Sequence, residues 1–570
     1  VIDTSVIFVF TAFIIVVGFL FSRTGRDLKS FFAGSDEVPW VIAGLSLFMS
    51  FFSAGTFVAW GSIAYKSGWV AISMQWTMGL GALIAAIWIA PRWKAAGNLT
   101  AAEFIKERLG IKVQQVYIYI FMLVSLLIKG SVLYSVAILV SASLGYPLGY
   151  TTLILGICMI AYTATGGLWA VMITDILQFT VLTAAVLILI PLSFKAVGGW
   201  HQFLDKAPRD FFHLTSAEFS WEFLLAFALY HIAYIGGNWT FVQRYTSVRS
   251  TKAASRVGYL FAALYLISPV VWMMPPMIYR VLNPALSGLQ SEGAYLYICK
   301  QILPAGLLGL ILTGMYFSTS ASANTTLNVT AAVFTNDIYK NIINPGATDR
   351  RLMQVARGSS WILGLGMIVI ALVVPAIGGI VSFILSVASI TGGPLLLPPI
   401  WALFSKRLTG KATLAITVFC LLMNIFMRLI FPFLYGEKVS TAAEMLLGVL
   451  LPFFLLLFFE IGAAARGLGG APQYENYLEI CKKRKDAARI NAASQKESVG
   501  LEQNLFGLKM LAFSLFFVAL LMFVISFFVK DIGRWLLITA ALLVLLTGCI
   551  PLMAFKRKRG LSTPGTLSKH

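Results

Sequence analysis

Between Ser318 and Asn328 the chain reads Ser-Thr-Ser-Ala-Ser-Ala-Asn-Thr-Thr-Leu-Asn, and it continues into Phe334-Thr-Asn-Asp-Ile-Tyr339. Hydroxyls and carboxamides offer the neutral oxygens that hard cations take as ligands. The run is entered through the apolar Gly306-Leu-Leu-Gly-Leu-Ile-Leu-Thr313 and has helical character. Inside hydrocarbon each such group must find a partner or cost several kcal/mol, as an order of magnitude. Two readings stay open: the run is helix–helix glue, or it is one wall of an ion site. Other candidates are scattered through apolar sequence. Asp175 sits in Ile173-Thr-Asp-Ile-Leu-Gln178 and Lys129 in Leu127-Ile-Lys-Gly130. Gln75 precedes Trp76, and His231 and Tyr234 lie one turn apart. An ionisable residue in a span is a functional candidate by default, with an interfacial carboxylate as the alternative for Asp175. His231 reads equally as a hydrogen-bonded packing residue, and Lys129 could snorkel, pair with a carboxylate or meet an anionic solute.

The elements that must hold these residues are membrane helices. The 570 residues are 59% hydrophobic and 12% charged, with mean hydropathy +0.85, where a soluble domain carries roughly twice that charged fraction. The net charge of +20 sits in short clusters between apolar stretches, the positive-inside pattern, so nucleic acid is not an expected partner and the lipid bilayer is. Five cysteines are scattered without paired spacing, which indicates neither a disulfide framework nor a metal centre. No Ser/His/Asp set, His-Glu-x-x-His, P-loop or dinucleotide fingerprint occurs in a plausible loop, arguing against an enzyme or an ATP-driven pump.

Apolar runs long enough to cross a bilayer predict an all-α polytopic protein with about fifteen transmembrane helices. The first, from Val6 to Phe21, lacks a basic n-region and a cleavage site and reads as a retained helix. Alternate loops carry the basic clusters, among them Arg23/Arg26/Lys29, Arg244/Arg249/Lys252/Arg256 and Lys482–Lys485, so the expectation is a cell-membrane protein with its N-terminus outside and C-terminus cytoplasmic. The second helix is interrupted by Phe52-Ser-Ala-Gly-Thr56 and the seventh by Tyr234-Ile-Gly-Gly-Asn-Trp239. Small polar residues mid-span free backbone groups that need a cavity or a partner. Five helices start at each break, so the units 38–195 and 219–404 would be inverted repeats, and breaks in register point to a transporter's midplane site. Around them we place an extra helix and loop (1–37), accessory helices (411–463), a cytoplasmic linker (464–507) that could form an amphipathic helix on the membrane surface, a helix pair (508–555) and a basic tail (556–570). Arg428, near an external helix end, reads as an interfacial anchor.

Several stretches resemble the sodium:solute symporter family: Phe31-Phe-Ala-Gly-Ser-Asp-Glu-Val-Pro-Trp40, Ala161-Tyr-Thr-Ala-Thr-Gly-Gly-Leu-Trp-Ala-Val171 with Thr174-Asp-Ile-Leu-Gln178, Val242-Gln-Arg-Tyr245, Met274-Pro-Pro-Met277, Phe334-Thr-Asn-Asp-Ile-Tyr339 and Phe404-Ser-Lys-Arg-Leu408. The resemblance implies a LeuT-like core of five plus five inverted helices and coupled sodium ion transport. It places the common sodium site at the carbonyls of Met49, Phe52 and Ser318 with Ala321 and Ser322. The family has a hydroxyl where Ala321 stands, so Ser320 or a water would have to substitute. A second sodium would fall at Asp175, Asn324 and Thr325. The solute would meet Ser53, Thr56, Gln75, His231, Tyr234 and Lys129. Sugar carriers have a Glu where Gln75 stands, a Gln where Leu385 stands and a Lys where Tyr265 stands, while the aromatic gate is kept as Tyr234. The expected function is sodium-coupled symport of a small organic solute by alternating access, a sugar or polyol first. The alternatives are a carboxylated solute such as sialic acid, a proton-coupled or uncoupled carrier of the same fold, and a sodium sensor acting through the linker. The oligomeric state stays open in the sequence, with a monomer among the readings.

Overall fold

The computed structural model describes all residues except 1, 23–37, 99, 162–167, 336–338, 340–342, 345, 438, 495–496, 530 and 562–570; within helices it leaves undescribed the side chains of 11, 14–22, 144, 161, 168–174, 318, 321–322, 324–326, 328–330, 332–333, 349, 353, 356, 485–494, 497–507, 531–532 and 554–561. Of the stretches that carry the family resemblance, 31–37, 162–167 and 336–338 lie outside the described residues.

The described chain is helical throughout, apart from an isolated bridge between Val38 and Val248. In order, the membrane helices are α1 (Ile2–Ser22), α2 (Trp40–Met49, resumed after a break as a π turn Thr56–Trp60 and Gly61–Ser67), α3 (Val70–Ala96), α4 (Ile111–Leu144) and α5 (Leu148–Ala161). Then come α6 (Leu168–Val197), α7 (Trp221–Gly237, resumed as Trp239–Thr246), α8 (Thr251–Leu282), α9 (Leu307–Val333) and α10 (Asp349–Val373). The last are α11 (Ile380–Ala402), α12 (Gly410–Tyr435), α13 (Thr441–Ala465), α14 (Glu497–Ser526) and α15 (Asp531–Leu561). This matches the expected count. By length and apolarity alone, ten helices qualify among the described residues, or eleven with the two halves of α2 as one span. Shorter apolar helices, Trp221–Gly237 and Leu307–Phe317 among them, fall below the length test. They belong to α7 and α9, and a third, Leu148–Ile160, belongs to α5.

The polar ends of the bundle are tied separately. On the side of the basic clusters, the Arg108 guanidinium is buried and donates to the carbonyls of Ser405 (2.6 Å) and Leu408 (3.2 Å), and Lys94 Nζ donates to the Thr246 carbonyl at 2.8 Å. Burial pushes the Arg108 pKa below its ordinary value. The linker carries the helix Pro472–Ser494, whose Arg484 reaches Glu107 (2.7 Å) and Glu103 (3.3 Å) on the short helix Ala101–Leu109. Tyr477 stands edge-on to Phe104, ring centroids 5.7 Å apart. Tyr477 and Arg484 turn to protein, while Leu478 and Ile480 of the same helix stay exposed. On the opposite side, Asp3 accepts from the backbone N–H groups of Gly306 (2.7 Å) and Gly309 (2.9 Å), so α1 caps the start of α9 and its positive dipole end.

Candidate functional site

The two breaks are built differently. In α2 the first half ends at Met49; Phe51 and Phe52 then donate to the carbonyls of Phe48 and Met49 in tighter turns (3.2 and 3.0 Å). The halves meet at 60°. Thr56 staples the break: its hydroxyl donates to the Phe51 carbonyl (3.1 Å) and accepts from the Ser53 N–H (3.2 Å). Among the described residues, the Ala54 N–H donates across to Thr319 Oγ1 at 3.4 Å. Ala54 lies 265 residues from Thr319 in sequence, and this bond brings the break of α2 against the polar run of α9, as the sequence led us to expect. Thr319 itself was not among the expected ligands, although it lies inside the run.

The α7 break is closed by one donor from α3 and by two residues of α7 itself. Asn238 is extended (φ −64°, ψ 128°) and its side chain caps the next half by accepting from the Thr240 N–H at 3.0 Å. The carbonyl of Gly236 accepts from Trp93 Nε1 at 2.8 Å, and that of Ile235 from the Tyr245 hydroxyl at 3.3 Å. Both glycines are needed for space. A β-carbon at Gly236 would stand 2.6 Å from Ile89 Cδ1, and one at Gly237 2.9 Å from the Leu396 carbonyl oxygen.

Aromatic rings crowd the α2 break. Phe51 meets Tyr234 edge-on (centroids 5.8 Å, 88°) and Tyr265 likewise (6.2 Å, 90°), while Phe52 lies 4.1 Å from Trp272. The Tyr265 hydroxyl is buried there with no hydrogen-bond partner among the described residues. A phenol without a partner in such a place is costly.

The other expected residues divide. Met49, Phe52, Ser53, Thr56 and Tyr234 gather at the α2 break. Ser318, Ala321, Ser322, Asn324 and Thr325 lie on α9, with side chains outside the described residues. Ser320 Oγ is buried with no hydrogen-bond partner among the described residues. Gln75 is buried and donates to the Ala71 carbonyl of its own helix at 3.3 Å. His231 turns to α3, where its Nδ1 lies 2.7 Å from Thr77 Oγ1. The Thr77 proton goes to the Met74 carbonyl at 2.6 Å, so Nδ1 is the donor. The histidine is buried and its Nδ1 is spent on α3 in this conformation. Lys129 is half-buried in α4, next to Gly130, which packs on Ile370.

Asp175 lies two turns inside α6 and is buried. Ser46 Oγ donates to Asp175 Oδ2 at 2.7 Å and accepts from Arg244 Nε and Nη2 at 3.3 Å; Arg244 Nη2 stands 3.6 Å from the same carboxylate oxygen. The cluster pins the first half of α2 and the second half of α7 to α6. Ser46 is seven residues, about 10 Å, from Ser53. Arg428, expected near a helix end, is paired across the hairpin: it donates to Glu444 Oε2 and to Ser386 Oγ, both at 2.7 Å.

Residues 31–418 match the family model for the sodium:solute symporter family. The chain belongs to that family. Among relatives, the sodium/glucose cotransporter of Vibrio parahaemolyticus is 29% identical over 451 residues, covering 72% of this chain and 81% of that one. The mouse sodium/myo-inositol cotransporter 2 is 28% identical over 486 residues (76% and 71%), and the sodium/sialic acid symporter of Proteus mirabilis (strain HI4320) is 26% identical over 435 (73% and 88%). In fold, this symporter is similar to a substrate-bound, outward-open sodium-coupled sialic acid symporter, with TM-score 0.67, 21% identity, and coverage of 81% and 98%. The LeuT-like core that the family resemblance implied is therefore the fold of this multi-pass membrane protein.

Proposed function

We propose that this symporter carries sodium together with a small hydroxylated solute, a sugar or polyol first, by alternating access, and that it is a carrier and not an enzyme. The observation that supports this best is the bond between Ala54 N–H and Thr319, which sets the opened backbone of α2 against the oxygen-rich face of α9. Sodium would be held between them by the carbonyls of Met49, Phe52 and Ser318 and by Ser322, with Ser320 making good the hydroxyl that Ala321 lacks. Its charge, bound on one side of the break, favours the conformation in which the two helices stay together, and the solute site is built in that state. Solute would enter beside Phe51, Ser53, Thr56 and Tyr234. The ring faces suit the C–H surfaces of a sugar, and the Tyr265 hydroxyl is a polar group in want of a partner. The repeats take the limits 38–195 and 219–404, and the side that carries Arg108, Lys94 and Arg484 is cytoplasmic, in a cell membrane.

Asp175 supports a second sodium position, with Asn324 and Thr325, of a particular kind. Its carboxylate is engaged by Arg244 and Ser46 in this conformation, so an ion arriving there competes with the guanidinium. Sodium at Asp175 would loosen the inner ends of α2 and α7, which is the change that inward opening requires.

Uptake into proteoliposomes tests the reading. Glucose, galactose, myo-inositol and sialic acid are each offered with a sodium gradient or with potassium on both sides. Accumulation of a neutral sugar or polyol only under the gradient is the expected result. Accumulation of sialic acid alone moves the solute to the carboxylated class, and equal accumulation with either cation overturns sodium coupling.

A further inference from the structure

We propose that α12 is a hydrogen-bonding splint for α11, and that Thr417 and Asn424 are positioning residues that let α11 bend between the two breaks. The consequence for transport rests on the sodium-carrier reading above; the splint rests on the geometry of α11 alone.

Helix α11 contains Gly392-Gly393-Pro394 followed by Pro398 and Pro399. A proline inside a helix has no N–H, so the carbonyl four residues earlier loses its donor. Pro394 strips Ile390, Pro398 strips Pro394 itself and Pro399 strips Leu395. Water does not reach these groups in hydrocarbon, so a freed carbonyl takes a protein donor. Helix α12 supplies donors for the first two. Asn424 Nδ2 donates to the Ile390 carbonyl at 3.0 Å and to that of Ser389 at 3.2 Å. Thr417 Oγ1 donates to the Pro394 carbonyl at 3.2 Å. With its proton committed, Thr417 accepts from the Tyr117 hydroxyl of α4 at 2.7 Å. Thr417, Asn424 and Tyr117 are all buried. Residues 417 and 424 are two turns apart and so share a face, and each meets the carbonyl that a different proline has freed. On another side, α13 comes close through glycine. A β-carbon at Gly393 would run into the Gly448 carbonyl oxygen, which Pro452 has freed in the same way, and one at Gly448 would run into that of Ser389.

The braced segment lies between contacts to both breaks. At the outer end of α11, Ile380 Cδ1 would stand 3.5 Å from a β-carbon at Gly55, in the α2 break. Further along, the Leu396 carbonyl and Ile400 close on Gly237, and Ile400 also on Gly236. A bend at 390–398 therefore changes how the two breaks stand to each other. Side-chain donors can follow a moving carbonyl by small torsions, which a backbone N–H fixed in the ladder cannot do.

Hydrogen exchange of the purified full-length protein in lipid nanodiscs, followed by mass spectrometry in sodium chloride and in potassium chloride, tests this. Thr417→Val should raise exchange across 395–402 about fivefold, the loss of one modest hydrogen bond, while Thr417→Ser keeps wild-type protection. Pro398→Ala restores an N–H to the Pro394 carbonyl, so the double variant T417V/P398A should return to wild-type protection; a packing defect would not be cured this way. In the wild type, replacing potassium by sodium should alter exchange at both 50–56 and 390–402, and in Thr417→Val at 50–56 alone. Unchanged exchange in Thr417→Val, or no restoration by Pro398→Ala, overturns the splint. If Thr417→Val aggregates, a monodisperse T417V/P398A supports it and an aggregated one overturns it. A wild type whose exchange at 50–56 ignores sodium overturns sodium binding at the break, while the restoration arm still decides the splint.

Discussion

The breaks in α2 and α7 answer the same problem, a spanning helix that stops mid-membrane, with opposite solutions. The α7 break is fully occupied: Trp93 of α3 and Tyr245 of α7's own second half donate to the freed carbonyls, Asn238 caps that half, and neighbouring atoms occupy the space above both glycines. The α2 break staples itself through Thr56 and, among the described residues, meets Thr319 in a long bond from the Ala54 N–H. A sealed break is a joint. A self-stapled break can exchange its outside partner for an ion or a solute at small cost, since a net hydrogen bond is worth about 1 kcal/mol. What differs is therefore how much the surroundings have already committed.

Substitutions can break or sharpen that contrast. The largest effect is expected where both broken helices are pinned together. Asp175→Asn leaves the buried Arg244 without its counter-charge, which costs about 3–5 kcal/mol; thermal unfolding in detergent should show a large loss, and Asp175→Asn with Arg244→Gln should recover part of it. Next, Gly237→Val drives side-chain atoms at the Leu396 carbonyl and should cost about 1–3 kcal/mol, to the same extent in sodium and in potassium. Trp93→Phe removes the donor to Gly236 while keeping a large ring, and should cost about 1 kcal/mol, again without regard to the cation. Thr319→Val is the converse: stability should fall by less than about 1 kcal/mol, but the sodium concentration for half-maximal uptake should rise about three- to tenfold. A sodium-dependent defect at Trp93, or a sodium-independent one at Thr319, would erase the distinction.

The breaks were legible because Gly, Ser, Thr and Asn stand out against Leu and Ile, and hydrocarbon makes each exception expensive. The family pattern then supplied the arrangement of helices. Side-chain facing was not legible. His231 and Tyr234 are one turn apart, yet one bonds to Thr77 while the other meets Phe51; a helix of unknown neighbours gives spacing without direction. The partner of Asp175 is 69 residues away on a different helix, and that of Arg428 lies across a loop. Long-range pairs of this kind need the fold before they can be read. Thr319 was hidden for a related reason, since every position of a polar run looks equally suited until one is seen against the break. The splinted prolines of α11 show the same limit: Pro394 and Pro398 announce missing donors, but nothing in their own segment says that α12 provides them.

Asp3 of α1, which accepts from two amides at the head of α9, is a remote handle on the helix that carries the polar run. Asp3→Asn would leave those amides a neutral acceptor in place of a charged one, and so would tune α9 from its far end without touching the residues around the α2 break.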